Sequence, residues 1–292
     1  ASCSIYSNNK FTVYSHSQSN FALKQSLSSY FNIDTSKVTI KFMPGSGCYG
    51  HNGADDVAFE ASVLSKAYPD FHILLKWTRE DEHCWEPYGS ASINKLFGAI
   101  NDNGQIVYWS NEAFSDTYLS RPSNEELYNF TSFKFLNNDF TKIRSKPKTS
   151  AHMGIHRNLD PLYNFSKTRL VKNLVHDLPL RTSALRTLGA FANIASSESF
   201  LNDLAFAKNI DPFKIRKNHL DDERAIEVLE NLENTMKKSH AKPNNYRGIG
   251  FSRYKNSAAY CAVGVELNIS DDLDIKLINA WITVDAGEIA YE

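Results

Sequence analysis

The sequence predicts a mixed α/β fold, because strand-like and helix-like patterns both occur along it. A β-branched, alternating run at residues 38–42 leads through a glycine-rich loop into an amphipathic stretch at 55–67, as expected for a strand, a loop and a helix. Strongly helical stretches follow at about 190–208 and 221–238. The Asn-Asp-Asn-Gly sequence at 101–104 joins two strand-like runs and is a good hairpin turn.

The N-terminal elements are predicted to form a βαβ-like unit. A short strand at residues 11–15 and a helix at 19–30 come first. The near-continuous apolar run at 71–77 follows the 55–67 helix and is typical of a buried parallel strand. Together with the 38–42 strand, these segments give the order strand, glycine loop, helix, strand.

The later elements are a hairpin, helices and a second strand pair. Strand-like runs at 90–99 and 105–110 form the hairpin, and residues 112–178 are predicted to be irregular and to wrap the surface. Asp211 and Pro212 cap and open a short helix. In the helix at 221–238 the buried face is predicted to contain Ile226, Leu229 and Leu232. The last elements are two antiparallel strands at 258–269 and 274–284.

Composition excludes several classes of protein. The 292 residues are 42% hydrophobic, which is enough for a well-buried core and suggests about two domains. The predicted boundary lies at residues 240–247, which contain a proline and two asparagines, so we expect a first domain at 1–240 and the start of a second at 241–292. The net charge of -1 gives no electrostatic reason to expect nucleic acid, and no apolar run approaches the ~20 residues of a membrane span.

The cysteines indicate neither a disulfide framework nor an iron–sulfur site, because they lie far apart without a CxxC pair. Reduced, mostly buried thiols are expected at Cys3, Cys84 and Cys261, and Cys48 is the exception because it lies within a glycine-rich loop.

The glycine-rich loop at residues 44–53 is the first candidate site. Glycines between a strand and a helix let the backbone approach a ligand closely and leave N–H groups free to face an anion. No Gly-Lys-Ser/Thr follows, so the loop is not a P-loop. Residues 45–50 match G-x-G-x-x-G, so a dinucleotide site with Glu80 as ribose partner is one interpretation, and a structural tight turn is the other.

Three further segments carry groups that could take part in chemistry. Residues 180–189 contain two arginines just before a helix, which suits an anionic ligand or a solvated surface loop. Residues 77–89 contain acids that could move protons, or form a turn locked by Arg79 ion pairs and tryptophan packing. His152 and His156 lack the glutamate of HExxH, which disfavours zinc hydrolysis. The absence of a G-x-S-x-G elbow leaves no support for an acyl-transfer triad.

At these loops the chain resembles the molybdopterin-binding large subunit of the xanthine dehydrogenase and aldehyde oxidase family. It is most similar to the bacterial branch of nicotinate dehydrogenase and isoquinoline 1-oxidoreductase B subunits. The resemblance covers essentially the whole chain and displaces the dinucleotide interpretation. It is carried by the ordered blocks YSHSQSNFALKQSL, GSGCYGHNGADDVAFEASVL, WTREDEHCWEPYG, PLRTSALRTLGAFANIASSESFLNDLA, RKNHLDDERA, RGIGFSRYKNSAAYCAV and VDAGEI.

The resemblance implies the molybdopterin-binding fold and a role for each loop. Gln18 matches a glutamine of the family that approaches an oxygen ligand of molybdenum, where a neutral amide can donate a hydrogen bond. The glycine loop would offer backbone N–H groups to the metal and pterin, and the arginine loop, meaning Arg186 with the backbone on either side of it, would close over the same centre. The implied cofactor-binding residues are Gln18, Gly47, Cys48, Tyr49, Gly50 and Arg186.

The resemblance also implies a reaction and its components. The family hydroxylates an N-heterocycle or an aldehyde with water as the oxygen source, assisted by a glutamate base. Electrons leave through the pterin to a [2Fe-2S] subunit or another electron-acceptor protein. The implied cofactor is molybdenum-molybdopterin in its cytosine dinucleotide form, and no residue of this chain is expected to bind the metal directly. The implied partners are a small-molecule substrate and the electron acceptor, without nucleic acid.

The chain departs from the family pattern in three places. The family's catalytic glutamate lies in a Gly-Glu block downstream of VDAGEI, so no catalytic residue is expected here, and Glu288 is not assigned that role. The GQG pterin segment is expected upstream of Ala1. Xanthine-type enzymes have a substrate-binding glutamate where this chain has Asn52, which argues against purine specificity. His51 and Asn52 are candidates to face the substrate.

Two functions remain open at this point. The first is a fragment of a molybdenum hydroxylase large subunit, in which Ala1 is an internal cut and the cofactor is absent from the fragment itself. The second is a non-catalytic, degenerate scaffold or interaction module that retains the fold. In either case the chain alone is not expected to turn over substrate. The compartment, bacterial cytoplasm or periplasm, is left open.

Overall fold

Strands outnumber helices in the part of the chain that the structure describes. This structure is a computed structural model, and it describes residues 1–48, 50, 54–118, 129–136, 146–176, 178–239 and 244–291. The strands are β1 (Ser2–Ser7), β2 (Lys10–Ser15), β3 (Val38–Phe42), β4 (Ile73–Leu75), β5 (Tyr88–Gly89), β6 (Ser92–Ile100), β7 (Ile106–Ser115), β8 (Thr168–Leu174), β9 (Thr182–Ser183), β10 (Asn245–Arg253), β11 (Tyr260–Ile269) and β12 (Ile275–Asp285). The helices are α1 (Asn20–Tyr30), α2 (Ala54–Ala67), α3 (Arg79–Trp85), α4 (Thr131–Leu136), α5 (Ala190–Ala207), α6 (Pro212–Lys217) and α7 (Glu223–Lys237).

The chain divides into two compact units, and each is assembled from three separate stretches. Unit 1 contains Ala1–Ala91, Asp116–Pro147 and Val175–Leu188, and unit 2 contains Ser92–Ser115, Lys148–Leu174 and Gly189–Glu292. The domain division that the sequence predicts at residue 240 stays a prediction. On either side of that position the described chain belongs to unit 2.

Unit 1 is built around a four-stranded sheet in the order β3-β2-β1-β4. Strand β2 alternates buried and less buried residues, so Phe11 and Val13 point into the core. Helix α1 adds Leu23 and Leu27, which lie on one face because they are four residues apart. Helix α2 packs on β1, β2 and β4. The buried residues of this core are Phe11, Val13, Leu23, Leu27, Val38, Ala58, Phe59 and Phe130.

Strand β4 corrects the prediction of a buried parallel strand at residues 71–77. It comprises three residues, pairs antiparallel with β1, and lies at the edge of the sheet. Helix α2 packs on it, but Phe71 and Leu74 are 67% and 73% exposed. Strands β3 and β4 run in the same direction but occupy opposite edges, because β2 and β1 lie between them. The βαβ-like unit is therefore split, since its strands β3 and β4 are not neighbours, and the parallel pair in this sheet is β2 with β3.

Unit 2 contains two three-stranded sheets, β6-β7-β8 and β10-β11-β12. The predicted hairpin at 101–104 is confirmed: β6 and β7 pair antiparallel, and Gly104 has the positive φ of 78° that its turn requires. Strands β11 and β12 are antiparallel neighbours, as predicted. Strand β10, which the sequence does not predict, begins at Asn245 and pairs with β11.

Helices α5, α6 and α7 confirm the three helical predictions for the C-terminal half. The Asp211 carboxylate accepts hydrogen bonds from the backbone N–H groups of Phe213 and Lys214, both at 2.9 Å, and so caps α6. The buried face of α7 includes Leu229 and Leu232, whereas the predicted third member, Ile226, is only partly buried. The fully buried members of this core include Ile106, Trp109, Ala205, Ile215, Ala225, Leu229, Leu232 and Ala262.

Two further predictions are wrong. Residues 112–178 are expected from the sequence to wrap the surface, but β8 extends the β6-β7 pair, and Leu159 and Tyr163 are buried. The thiols are expected to be mostly buried, but Cys84 is exposed and the other cysteines are partly exposed. All four thiols are free, as predicted. Among the helices of the described ranges, none is long and apolar enough to cross a membrane.

An acid-sensitive ion pair links α7 to β12. The Arg224 guanidinium donates to both carboxylate oxygens of Asp285, at 2.7 and 2.6 Å, and the backbone N–H of Gly287 donates to the same carboxylate. The hydrogen bonds from Arg224 and then Gly287 lower the pKa of Asp285 from 3.8 to about 2. Because the folded-state pKa is depressed, this contribution to stability is complete above pH 3.8 and disappears as the pH falls towards 2.

We therefore expect the melting temperature of the chain to fall between pH 4 and pH 2, and the Asp285→Asn variant to show a shallower fall. Melting followed by circular dichroism across pH 2–7 measures both curves. Asp271→Asn, at an exposed aspartate, is the matched control and should keep the parental pH dependence. Identical curves for the parent chain and Asp285→Asn would contradict this assignment.

Candidate functional site

Two of the predicted cofactor segments line one open cavity of unit 1. Its volume is about 630 Å³. Gln18 contributes from the turn between β2 and α1, and Gly47 and Cys48 contribute from the glycine loop. The full lining consists of His16, Ser17, Gln18, Ser19, Asn20, Phe21, Phe42, Gly45, Gly47 and Cys48.

The turn that carries Gln18 is held by the side chain of Ser17. The Ser17 hydroxyl accepts a hydrogen bond from the backbone N–H of Ser19 at 3.0 Å, and it donates to the carboxylate of Asp55. The backbone N–H of Ser17 donates to the hydroxyl of Ser15 at 3.2 Å. Ser17 is buried, whereas Gln18 is exposed, so a fixed turn presents the glutamine amide to the cavity.

His16 forms another part of the cavity wall, and no sequence pattern points to it. It packs closely on the glycine loop, since a Cβ added to Gly45 would lie 3.2 Å from the His16 Cβ. Burial lowers the pKa of His16 from its ordinary value. A neutral imidazole is therefore favoured at this wall.

The described part of the glycine loop has an unusual backbone conformation at Gly47 and brings two residues to the cavity. Gly47 has a φ of 96°, a conformation that L side chains rarely adopt, so glycine is required there by the backbone itself. The backbone N–H groups of Gly47 and Cys48 donate to no carbonyl of the described residues.

The arginine loop is joined to the glycine loop at one main-chain hydrogen bond. The N–H of Arg186 donates to the carbonyl of Gly50 at 2.7 Å. Leu185 packs closely on two glycines, because a Cβ added to Gly50 or Gly89 would lie 3.3 or 3.0 Å from its methyl groups. The Arg186 side chain is exposed and is not among the described residues that line the cavity.

The arginine loop also stores backbone strain. Thr187 and Leu188 both have positive φ, 76° and 54°, and for a β-branched residue such as threonine this conformation is unusual. The N–H of Leu188 donates to the carbonyl of Leu185 at 2.9 Å and closes the turn. Such conformations cost roughly 1–3 kcal/mol each and occur preferentially at functional sites.

Two adjacent carboxylates at the start of α2 connect to the Gln18 turn and to the strand before the arginine loop. Asp55 and Asp56 are 2% and 1% exposed. Asp55 accepts from Ser17, and Asp56 forms an ion pair with Arg181 at 3.0 Å. Burial raises the pKa of Asp56, and the Arg181 guanidinium offsets part of this rise. The sequence indicates only that these acids lie in the first helical turn, where carboxylates interact favourably with the helix dipole.

The predicted residues thus fall into three groups. Gln18, Gly47 and Cys48 lie at one cavity. Gly50 and Arg186 are joined to each other through their backbones. Tyr49, His51 and Asn52 lie outside the described residues, so the contacts expected of them stay predictions.

The acidic segment at 77–89 is organised as a short helix rather than a turn. Helix α3 begins with a capping box, and the predicted Arg79 ion pair is present, with Glu82 at 2.7 Å. This pair is exposed and contributes little to stability. The two tryptophans of the segment have separate partners: Trp77 donates to Glu60 at 2.8 Å, and Trp85 packs on another aromatic ring.

The histidine pair at 152 and 156 makes local contacts in unit 2. The His156 ring contacts the carbonyl of Ser150 at 2.7 Å and the amine of Lys172 at 3.0 Å. Within the ranges that the structure covers, no group of three or more His, Cys, Asp or Glu side chains could hold a metal ion.

A known protein resembles most of this chain in sequence, although no family model matches it. The relative is one of the nicotinate dehydrogenase B subunits, that of Pseudomonas putida strain KT2440. It is 29% identical over 268 residues, which is 88% of this chain. The chain spans about a fifth of the length of that relative, 21%.

Solved structures show the same fold. An aldehyde oxidoreductase from Desulfovibrio gigas matches 94% of this chain with a TM-score of 0.63 and 13% identity, and the match covers 30% of that chain. Quinoline 2-oxidoreductase from Pseudomonas putida 86 matches 94% with a TM-score of 0.59 and 13% identity, over 37% of that chain. A Cu,Mo-CO dehydrogenase matches 87% with a TM-score of 0.50 and 11% identity, over 33% of that chain. The predicted resemblance and fold class are therefore confirmed: the chain has the fold of the molybdenum hydroxylases, and its sequence is related to that of a nicotinate dehydrogenase subunit.

Proposed function

We propose that this chain is the part of a molybdenum hydroxylase large subunit that holds the molybdopterin cofactor. The observation that carries the proposal is the cavity at which Gln18, Gly47 and Cys48 meet although they are distant in sequence. In the complete polypeptide, of which the first domain would cover 1–240 and the second would begin at 241, the enzyme oxidises an N-heterocycle or an aldehyde with water.

The chemistry of the cavity fits an anionic, oxygen-rich group. The lining has no Asp, Glu, Lys or Arg side chain among the described residues, so it offers neutral donors and little repulsion to such a group. Gly47 and Cys48 present backbone N–H groups that no described carbonyl accepts, and Gln18 presents a neutral amide. Oriented backbone amides of this kind are well suited to bind phosphate and similar anions.

Each loop of the chain has a defined task in this proposal. When bound, the molybdenum-pterin group supplies the two-electron oxidation of a carbon–hydrogen bond. Gln18 donates a hydrogen bond to an oxygen atom of that group, and the glycine loop binds it through backbone N–H groups. The arginine loop, fixed to Gly50 through the Arg186 amide, covers the same group. Tyr49 completes the binding loop, and His51 and Asn52 face the substrate.

The remaining parts of the reaction lie with other components. No base is assigned to a residue of this chain, so the isolated 292 residues do not turn over substrate. The cofactor is proposed to be the cytosine dinucleotide form, bound stably only in the complete polypeptide. A [2Fe-2S] subunit or another electron-acceptor protein removes the electrons. The Pseudomonas putida relative is itself one subunit of its enzyme, which supports an assembly with further subunits.

Metal and pterin analysis of the complete polypeptide, produced with its iron–sulfur partner, tests the proposal. Molybdenum, pterin and released cytidine nucleotide are expected in stoichiometric amounts. Gln18→Glu replaces a donor by a carboxylate that repels an anionic group, so the turnover number should fall roughly 100-fold. Gln25→Glu, at an exposed position on α1, is the matched control and should retain activity. An active enzyme without molybdenum would favour a different function, and an inactive, cofactor-free complex would favour the scaffold interpretation.

A further inference from the structure

The two buried carboxylates of α2 are unusual in their number and placement. Asp55 and Asp56 are adjacent, and both are almost completely buried. Burying a carboxylate is costly unless it is paired and hydrogen-bonded, and exposed acids would satisfy a helix N-terminus equally well. Neighbouring helical residues differ in direction by about 100°. The two side chains therefore reach different parts of unit 1.

Asp55 reaches the turn that carries Gln18. It accepts the hydrogen bond of the Ser17 hydroxyl, and that hydroxyl in turn accepts the backbone N–H of Ser19. The peptide group that follows Gln18 is thereby held through one serine. A charged acceptor makes the first of these hydrogen bonds stronger than a neutral one.

Asp56 reaches the strand that leads into the arginine loop. Both of its carboxylate oxygens accept from Arg181, at 3.0 to 3.2 Å, and one accepts from the N–H of Thr131 at 2.9 Å. Arg181 also donates to the carbonyls of Asn129, at 2.5 Å, and Trp85. It directly precedes β9, after which the chain continues to Arg186.

We propose that Asp55 and Asp56 are positioning residues for the cofactor site, each holding one of its two flanking loops. Asp55 fixes the Gln18 turn through Ser17, and Asp56 fixes the arginine loop through Arg181. Helix α2 follows the glycine loop directly in the chain, so the same helical turn sets the positions of both other loops relative to it. The relevance to the cofactor rests on the function proposed above.

Hydrogen–deuterium exchange of the complete polypeptide tests the two links separately. Asp55→Ala is expected to accelerate exchange of the amides at 17–20 by about tenfold or more, as expected for the loss of a hydrogen bond to a charged group, and to leave 182–188 unchanged. Asp56→Asn is expected to accelerate exchange of the amides at 182–188 and to leave 17–20 unchanged. Asp222→Ala removes the cap of α7 in unit 2 and should change neither loop.

The crossed pattern, in which each variant accelerates exchange in only one of the two loops, distinguishes a positioning role from an effect on general stability. A merely structural role would accelerate exchange throughout unit 1 to the same extent in both variants, and that result, or no change in either loop, overturns the proposal. If a carboxylate variant does not fold, Ser17→Ala and Arg181→Lys break the same two links and must give the same pattern. Metal analysis of the parent protein is an independent readout. An active parent protein that contains no molybdenum would reject the proposed function. A molybdenum-loaded protein in which both variants change exchange in the same way would reject only the positioning role.

Discussion

Replacing Glu198 with alanine is expected to destabilise the chain by about 3–5 kcal/mol, because it leaves a buried charge without its partner. The Arg216 side chain is 0% exposed, and its Nε donates to the Glu198 carboxylate at 2.9 Å. The same carboxylate accepts from the Tyr163 hydroxyl at 2.8 Å and from the backbone N–H of Phe251 at 2.7 Å. Glu198 thus connects α5, α6 and β10 within unit 2.

The titration of Tyr163 supports this account of the Glu198 network. Burial, and then the neighbouring Glu198 carboxylate, raise the pKa of Tyr163 well above its ordinary value, so the hydroxyl stays protonated and donates. Removing the carboxylate leaves three buried donors without their acceptor. The loss should therefore exceed that of a single hydrogen bond, which contributes about 0.5–1.5 kcal/mol.

Urea denaturation of the parent chain and the variants measures the free energy of unfolding. Glu227→Ala, at an exposed position of α7, is the matched control and should change stability by less than about 0.5 kcal/mol. The double variant Glu198→Leu with Arg216→Met should recover the part of the loss that comes from the unpaired charge, while the Tyr163 hydroxyl and the Phe251 N–H stay without their acceptor. A double variant as unstable as Glu198→Ala would show that the buried charge is not the cause.

Gly189→Ala is expected to destabilise unit 2 by about 2–3 kcal/mol through overpacking. An added Cβ would lie 2.5 Å from the carbonyl oxygen of Gly154 and 2.6 Å from that of Ile155. Both neighbours are backbone atoms, which cannot rotate away. The φ of Gly189 is an ordinary -62°, so the requirement for glycine here comes from close approach and not from conformation.

The contact at Gly189 is reinforced from the next turn of α5. The Asn193 amide donates to the carbonyls of Ile155, at 2.7 Å, and Arg157, at 3.0 Å. Separating the helix from the 154–157 turn would break these bonds as well. Thermal unfolding measures the loss, with Gly248→Ala as the control, because its Cβ would meet only a methyl group of Val265 at 3.9 Å. Equal melting temperatures for both variants would contradict the overpacking explanation.

The spacing of apolar residues predicts those helices and strands that bury one face and expose the other. Helix α7 has a regular apolar face, and β11 alternates buried and partly buried residues, so the predicted bounds of both are close to the observed ones. The run at 71–77 is misleading because its apolar character indicates burial on both faces, whereas β4 is an exposed edge. Strand β10 escapes prediction because Gly248 and Gly250 weaken its strand pattern and polar residues precede it.

The site is predictable only in part from residue patterns. The two loops are recognisable as candidates for anion binding, but joining them into one site depends on the resemblance to a family. The buried pair Asp55 and Asp56 cannot be found in this way, because acids in a first helical turn are common and their burial depends on Ser17 and Arg181. Such long-range pairings follow from the tertiary structure, which local spacing does not encode.

The interleaving of the two units has a consequence for synthesis on the ribosome. Unit 1 lacks its last stretch until residue 188 has been made, and unit 2 draws its first stretch from residues 92–115. Early segments must therefore wait for distant partners, which slows folding and prolongs exposure of apolar surface to chaperones and proteases. For the same reason neither unit can be cloned as one uninterrupted stretch of coding sequence, and a truncation that ends anywhere between residues 92 and 187 would leave both units incomplete.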